Sequence, residues 1–249
     1  MKRLKFVLMI ALFTSTAMLA QSSIPAGTVF PLQLNTGLNS RKNKAGDRVT
    51  ARIMQDVPVS SGTKIHAGAK VIGHVVSVKA NEQPAEITFR FEKVESGHRS
   101  IPIITNLRAL ASVMAVEDAQ IPPAGPDRGT PWAWTTKNLI GGEVAYGEGG
   151  PVVHGADVVG HALFGGVLAQ VNSSPGSPCR GEVADNDQLQ AFWVFSSDAC
   201  GLYGIDNLEI VHAGRTPPVG EITFRSKTGN LKIDSGSGML LRVTGSIGE

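Results

Sequence analysis

The sequence predicts an all-β protein, mostly antiparallel and barrel-like, with one short helix and a long Gly/Pro-rich insertion. Three observations carry this. Gly (29) and Pro (14) are frequent and charged residues make up only 18% of the chain, which favours turns and sheets over long helices. Runs rich in β-branched and apolar residues, cut by Gly, Pro and Asn, recur from Thr28 onward. Several alternate with a period of two. In "EITFRFEKV", Ile87, Phe89 and Phe91 fall on one face and Glu86, Thr88, Arg90 and Glu92 on the other, the pattern of a strand with one wet side.

The first twenty residues have a basic start (Lys2, Arg3, Lys5), an apolar run and then small residues, the layout of a cleavable export signal. Cleavage after Ala20 competes with cleavage after Ala17. No Cys lies near the junction, so a lipid anchor is not expected. Removing this segment takes away three positive charges and leaves 20 Lys+Arg against 21 Asp+Glu. The basic pI of the precursor therefore does not argue for nucleic acid, and no basic run with interleaved aromatics occurs. The expected location is the periplasm or the cell exterior, with no integral membrane segment once the signal is gone.

Strands are expected near Val29–Leu34, Arg48–Val57, Lys70–Val78, Glu86–Val94 and Arg99–Thr105. A second group falls near Gly166–Val171, Gln190–Phe195, Leu208–His212, Glu221–Arg225, Leu231–Ile233 and Met239–Val243. Only "NLRALASVMAVED", Asn106 to Asp118, has helical spacing, with Leu107, Leu110, Ala111 and Met114 on one face; its Val residues leave a strand open. Residues 120–151 are dense in Gly and Pro and read as a long loop or insertion. Residues 21–119 then form a barrel-like region, and 152–249 a β-rich region that completes the same domain. Asp157 and two His interrupt the apolar run from Val152 to Val171, which argues against a helix in lipid. The pentapeptide "EITFR" occurs at Glu86–Arg90 and again at Glu221–Arg225, suggesting two similar amphipathic hairpins.

Two turns also echo each other. In "IPAGT" and "IHAGA", Gly27 and Gly68 supply a positive φ, Ile24 and Ile65 anchor the turn in the core, and Val29 and Val71 begin strands. The run from Ile24 to Val78 carries a Pro-Ala-Gly-Thr turn (Pro25–Thr28), an Asn/Thr-Ser segment (Asn35–Ser40) and a strand ending near Asp-Val (Val49–Val57). A second turn (Ala67–Ala69) and Ile72–Gly73 follow. This run resembles the periplasmic β-barrel of the outer-ring component of type IV secretion and conjugal-transfer machines, over about a fifth to a quarter of the chain. The resemblance implies a barrel and an assembly role. That family normally has an inner-membrane anchor and a helical hairpin reaching the outer membrane, where this chain has a cleavable signal.

Chemistry-bearing residues are few. Cys179 and Cys200 are the only cysteines; in an oxidising compartment they are expected to pair, closing a 22-residue loop worth roughly 3 kcal/mol. Two reduced, buried thiols are the alternative. Asp234, in "IDSGSG", sits in the Asp-Ser-Gly of aspartic proteases, but no second Asp-Ser/Thr-Gly supplies the partner carboxylate, so a hairpin turn is preferred. Ser235 and Ser237 lack a nucleophile elbow. His154, Asp157 and His161 do not converge on a strand, and Glu182, Asp185 and Asp187 lack the Gly and terminal Glu of a calcium loop. Trp132 and Trp134 share a face in an extended segment and are candidates to contact a glycan, whereas Trp193 reads as core. No catalytic residue, metal or cofactor is expected. The expected role is structural or interaction-based in the bacterial envelope, with envelope proteins or a second copy as partner. A glycan-binding module is one alternative, and a hydrolase with an unrecognised site another.

Overall fold

The computed structural model describes residues 23–60, 63–80, 83–120, 134–147, 151–154, 157–163, 166–169, 190–191, 193–195 and 199–245. The export signal and Cys179 lie outside them. In chain order the first part contains β1 (Val29–Leu34), β2 (Leu38–Asn39), β3 (Arg48–Ile53), β4 (Val57–Ser60), β5 (Thr63–Ile65), β6 (Lys70–Lys79), β7 (Glu86–Ser96), β8 (Arg99–Pro102) and β9 (Ile104–Ala111). Helix α1 (Val113–Gln120) follows. An inserted set runs through β10 (Trp134–Leu139), β11 (Gly142–Gly147), β12 (Pro151–His154), β13 (Asp157–Leu163), β14 (Gly166–Ala169) and β15 (Gln190–Ala191). The chain then returns through β16 (Gly201–Tyr203), β17 (Leu208–Ala213), β18 (Ile222–Ser226), β19 (Lys232–Ile233) and β20 (Gly238–Gly245).

The protein is all-β with antiparallel-dominated sheets. The main sheet runs β16-β9-β20-β1-β3-β6-β7-β18-β17, with β8 on β7, and only the β16–β9 pair is parallel. Its inner face holds one apolar core that includes Phe30, Leu32, Ile53, Val75, Ile87, Phe91, Leu107 and Met239. Phe89 lies at its centre, edge-on to Phe91 at 5.8 Å and stacked on Phe224 at 5.9 Å. The sheet curls until its ends approach. Arg215, in the β17–β18 connection, donates to the Leu107 carbonyl of β9 at 3.0 Å. Among the described residues no ladder joins β16 to β17, so the wall is barrel-like without a recorded closure.

The curl has a local cause. Register shifts between Ile72 and Gly73 and between Val75 and Ser77 bend β6 against β7. At the first, a side chain on Gly73 would put its Cβ 1.8 Å from the Arg90 carbonyl oxygen. Only a residue without Cβ lets the backbones meet there.

The two EITFR copies are neighbours. They pair antiparallel, Ile222 with Phe89, Thr223 with Thr88, Phe224 with Ile87 and Arg225 with Glu86. Read in opposite directions the pentapeptide is self-complementary: acid faces base, Ile faces Phe, and Thr faces Thr. Thr88 Oγ1 and Thr223 Oγ1 share a hydrogen bond of 2.9 Å, and Arg225 approaches Glu86 to 2.6 Å.

Both Gly turns form as the sequence predicts. Gly27 (φ 91°) and Gly68 (φ 87°) each occupy the third position of a turn, closed by Thr28 N–H to Pro25 O and Ala69 N–H to His66 O, both 3.2 Å. Ile24 and Ile65 are buried beneath them.

The helix expected over Asn106–Asp118 is a correction. Its first half is β9 and only Val113–Gln120 is helical. A bulge opposite Leu240 and Leu241 adds Arg108 to β9, so Leu107 and Leu110, three residues apart, both face the inner core. Ala109 and Ala111 are buried on the other side. A strand covered on both faces loses its alternation, and the bulge imitates a helical stripe. Ser112 is the cap, its Oγ accepting the Ala115 N–H at 3.1 Å. The Gly/Pro-rich stretch is not all loop either: it contains β10 and β11, which open a six-stranded antiparallel meander ordered β10 to β15.

Gly73→Ala is expected to cost about 3 kcal/mol or to abolish folding, because the clash is with backbone. Gly97→Ala, at a turn with nothing within 4 Å of a built Cβ, isolates the effect of positive φ alone and should lose less. Denaturant midpoints compare them; equal losses would contradict the close-approach account.

Candidate functional site

The outer side of β9, β20 and β1 presents a shallow apolar strip made by Ala109, Ala111, Leu240 and Val29. Helix α1 lays Val116 and Ala119 on it, and the two roots of the inserted sheet add Leu139, Ile140, Trp193, Val194, Phe195 and Ala199. Small alanines on β9 let helix and roots approach closely.

Hydrogen bonds fix this root. Gln55, just past β3, accepts the Trp193 N–H with its side-chain oxygen at 2.7 Å, and Ile140 N–H donates to Val194 O at 2.8 Å. Trp193 has φ 46°, a left-handed conformation of the kind that costs on the order of 1 kcal/mol or more outside glycine. Buried Gln55 and the packing around Trp193 hold it there. Gly141 (φ 91°) leaves room for Ala199, whose Cα would lie 2.6 Å from an added Cβ, and for the Tyr203 hydroxyl. That hydroxyl accepts the Cys200 N–H at 3.0 Å.

A cleft of about 510 Å³ opens between α1 and the root, lined by Ala115, Asp118, Ala119, Leu139, Gly141 and Tyr203. Its walls are mostly apolar, with one carboxylate and one phenol already engaged. Such a cleft suits an apolar side chain better than a reacting group. A second groove, of about 700 Å³, lies at the Glu86–Arg225 end of the β7–β18 ladder, with Gln83, Pro84, Glu209, Arg225, Lys227 and Thr228 on its walls. Its charges are engaged, Lys227 by the Asp206 carbonyl at 2.8 Å. Arg225 bridges Glu86 and Glu209, and its pKa is raised by Glu86 first and Glu209 second. Lys79, and then Arg225, hold the Glu86 carboxyl below its ordinary value against the opposing effect of burial.

The residues singled out in the sequence scatter. Asp234 is exposed, bound to Lys232 at 2.6 Å, and opens the turn between β19 and β20; Gly236 (φ 94°) occupies its third position. Ser235 Oγ donates to Asn35 O at 2.9 Å. Asp234 and Ser235 are thus turn residues, but the turn closes no hairpin as the sequence suggested, because β19 pairs with β2 and β20 with β9 and β1. His154 lies across the β12–β13 ladder from Asp157, while His161 is opposite Pro151 at its far end. Trp134 opens β10, an edge strand of the inserted sheet, and Trp193 is buried. Trp132, Cys179, Glu182, Asp185 and Asp187 lie outside the described residues; Cys200, just before β16, is not a free thiol.

Gln55 and Arg108 were missed. Arg108 is 1% exposed at the β9 bulge. A lone Arg inside "NLRALASV" was the visible signal that this run is not an ordinary wet-faced helix.

Among the described residues no helix is long and apolar enough to cross a membrane. No family model, curated protein or solved structure matches the chain.

Gln55→Leu is expected to destabilise the protein by about 1–3 kcal/mol, since the Trp193 N–H loses its acceptor in a buried site. Limited proteolysis should then cut first near the root. An unchanged denaturation midpoint would mean that this bond does not hold the insertion.

Proposed function

We propose that the protein is an exported, non-enzymatic component of the bacterial cell envelope, with an assembly or scaffold role. The observation that carries the reading is the arrangement of the segment that resembles the type IV secretion barrel. Its two Gly turns, at residues 25–28 and 66–69, launch β1 and β6, and these strands flank β3 in one curled sheet. The motif elements thus act together as a structural unit.

A second feature supports it. The main sheet carries a separate six-stranded meander on a root tied down by Gln55, Ile140 and Gly141. A scaffold that holds a second β surface at a fixed place is suited to binding other envelope proteins or further copies of itself. A Cys179–Cys200 disulfide would tie the chain between β14 and β15 to the start of β16, limiting its freedom before any partner is met.

The native mass of the mature, oxidised protein tests the reading, measured by light scattering across a concentration series together with crosslinking in intact envelopes. A defined oligomer or a reproducible envelope crosslink is the expected result. A monomer at all concentrations that crosslinks to nothing would overturn it.

A further inference from the structure

We infer that the outer face of β3, β6 and β7, extended by the β2–β3 connection, binds an acidic polysaccharide. Where β6 and β7 run beside β3, the outward positions are Arg48, Thr50 and Arg52 on β3, Lys70, Ile72 and His74 on β6, and Arg90, Glu92, Lys93 and Glu95 on β7; farther along, Lys79 and Glu86 pair with each other at 2.9 Å. The connection adds Arg41, Lys42, Lys44 and Asp47. Eight Lys and Arg residues therefore face three carboxylates, in a chain whose totals are nearly balanced at 23 and 21.

The register makes this concentration costly. Arg52 lies directly opposite Lys70, which faces Glu95 on its other side, while His74, between Arg48 and Arg90, is 3.2 Å from Glu92. Like charges directly across a ladder destabilise it. Arg52 turns away to Gln33, 2.5 Å from its side-chain oxygen. Among the described residues Arg41, Lys42, Lys44, Arg48 and Lys70 make no ion pair within 4.0 Å, whereas Lys93 is held by Glu95 at 2.8 Å. Glu95 is the carboxylate that Arg48 and Lys70 act on: after Lys93, they help to hold it below its ordinary pKa, and the surface still keeps an excess of positive charge.

The connection is held in one shape. Asn39 and Asn43 exchange hydrogen bonds: Asn39 N–H to Asn43 Oδ1 at 2.7 Å, and Asn43 N–H to Asn39 O at 2.9 Å. Asp47 accepts from Lys44 N–H and from the Asn43 amide at 3.0 and 3.2 Å, and these bonds lower its pKa. Gly46 and Asp47 continue the pairing with β6 through Val75, two bonds of 2.8 Å. The three cations are thus carried on a pre-ordered support, which cuts the entropy lost on binding.

The rest of the face selects the partner class. Its charges lie on a pleated wall with rows about 4.8 Å apart across strands, suited to an extended chain bearing an anion at intervals. No Phe, Tyr or Trp is among these positions, so the face lacks the aromatic platforms on which single-stranded nucleic acid stacks. Its one apolar member, Ile72, is 6% exposed beneath its neighbours and offers no wedge for a bilayer. Arginine guanidinium groups pair well with carboxylates.

Retention of the full mature chain on immobilised polygalacturonate, eluted with salt, tests the inference, with heparin, single-stranded DNA and anionic phospholipid vesicles as parallel probes. Wild type should bind polygalacturonate or heparin in preference to DNA or vesicles. Lys70→Gln should weaken that binding about two-fold while melting close to wild type, because it removes the repulsion from Arg52 together with the attraction to Glu95. Arg41→Glu with Lys42→Glu, on the exposed connection, should weaken it too. Failure of wild type to bind either glycan, variants that bind as wild type does, or stronger binding to DNA or vesicles would each overturn it.

Discussion

The β7–β18 seam joins residues 86–89 to residues 222–225, and the curled sheet depends on it. Without that ladder, β17 and β18 have only each other, and a two-stranded ribbon is marginal in water. With it, Phe224 reaches Phe89, the inner core becomes continuous, and the β17–β18 connection can place Arg215 against β9. The self-complementarity of Glu-Ile-Thr-Phe-Arg fixes the register. A slip of one residue would turn Ile222 and Phe224 to water and bring Thr223 and Arg225 into the core.

Tight backbone approaches then decide where the sheet bends and where the insertion attaches. Gly73 lets β6 and β7 close up at a bulge, and Gly141 lets the first root of the insertion pass Ala199. Buried polar groups mark the same root: Gln55 answers the Trp193 N–H, and Trp193 takes a conformation that the surrounding contacts impose. The inserted meander therefore sits on a defined support. That is the physical basis for reading the molecule as a platform for interactions.

Much of the first part was legible because its cues are local. β1 has the expected limits, Val29–Leu34, and the Gly27 and Gly68 turns need only a few neighbouring residues to declare themselves. What was not legible depends on distant pairing. The bulge that puts Leu107 and Leu110 on one face exists only against β20, so β9 passed for a helix. Strands β10 and β11, with Gly142 and Gly147 at the ends of one of them, gave weak alternation, and their stretch read only as loop or insertion. The repeated pentapeptide was visible, but its self-pairing across more than a hundred residues was not. The basic face was hidden for a similar reason: Arg48, Lys70 and Arg90 each look like the wet side of an ordinary strand until the register sets them side by side.

The seam can be tested at the level of single residues by disulfide trapping. Thr88→Cys with Thr223→Cys should crosslink on mild oxidation, since the two hydroxyl oxygens are 2.9 Å apart. Thr88→Cys with Arg225→Cys, two residues along the ladder, should not. Peptide mass mapping of the oxidised variants distinguishes new bonds from any made by Cys179 and Cys200. A crosslink at 88–223 alone is the predicted result. A crosslink at 88–225, or none at either pair, would contradict the antiparallel self-pairing on which the sheet is built.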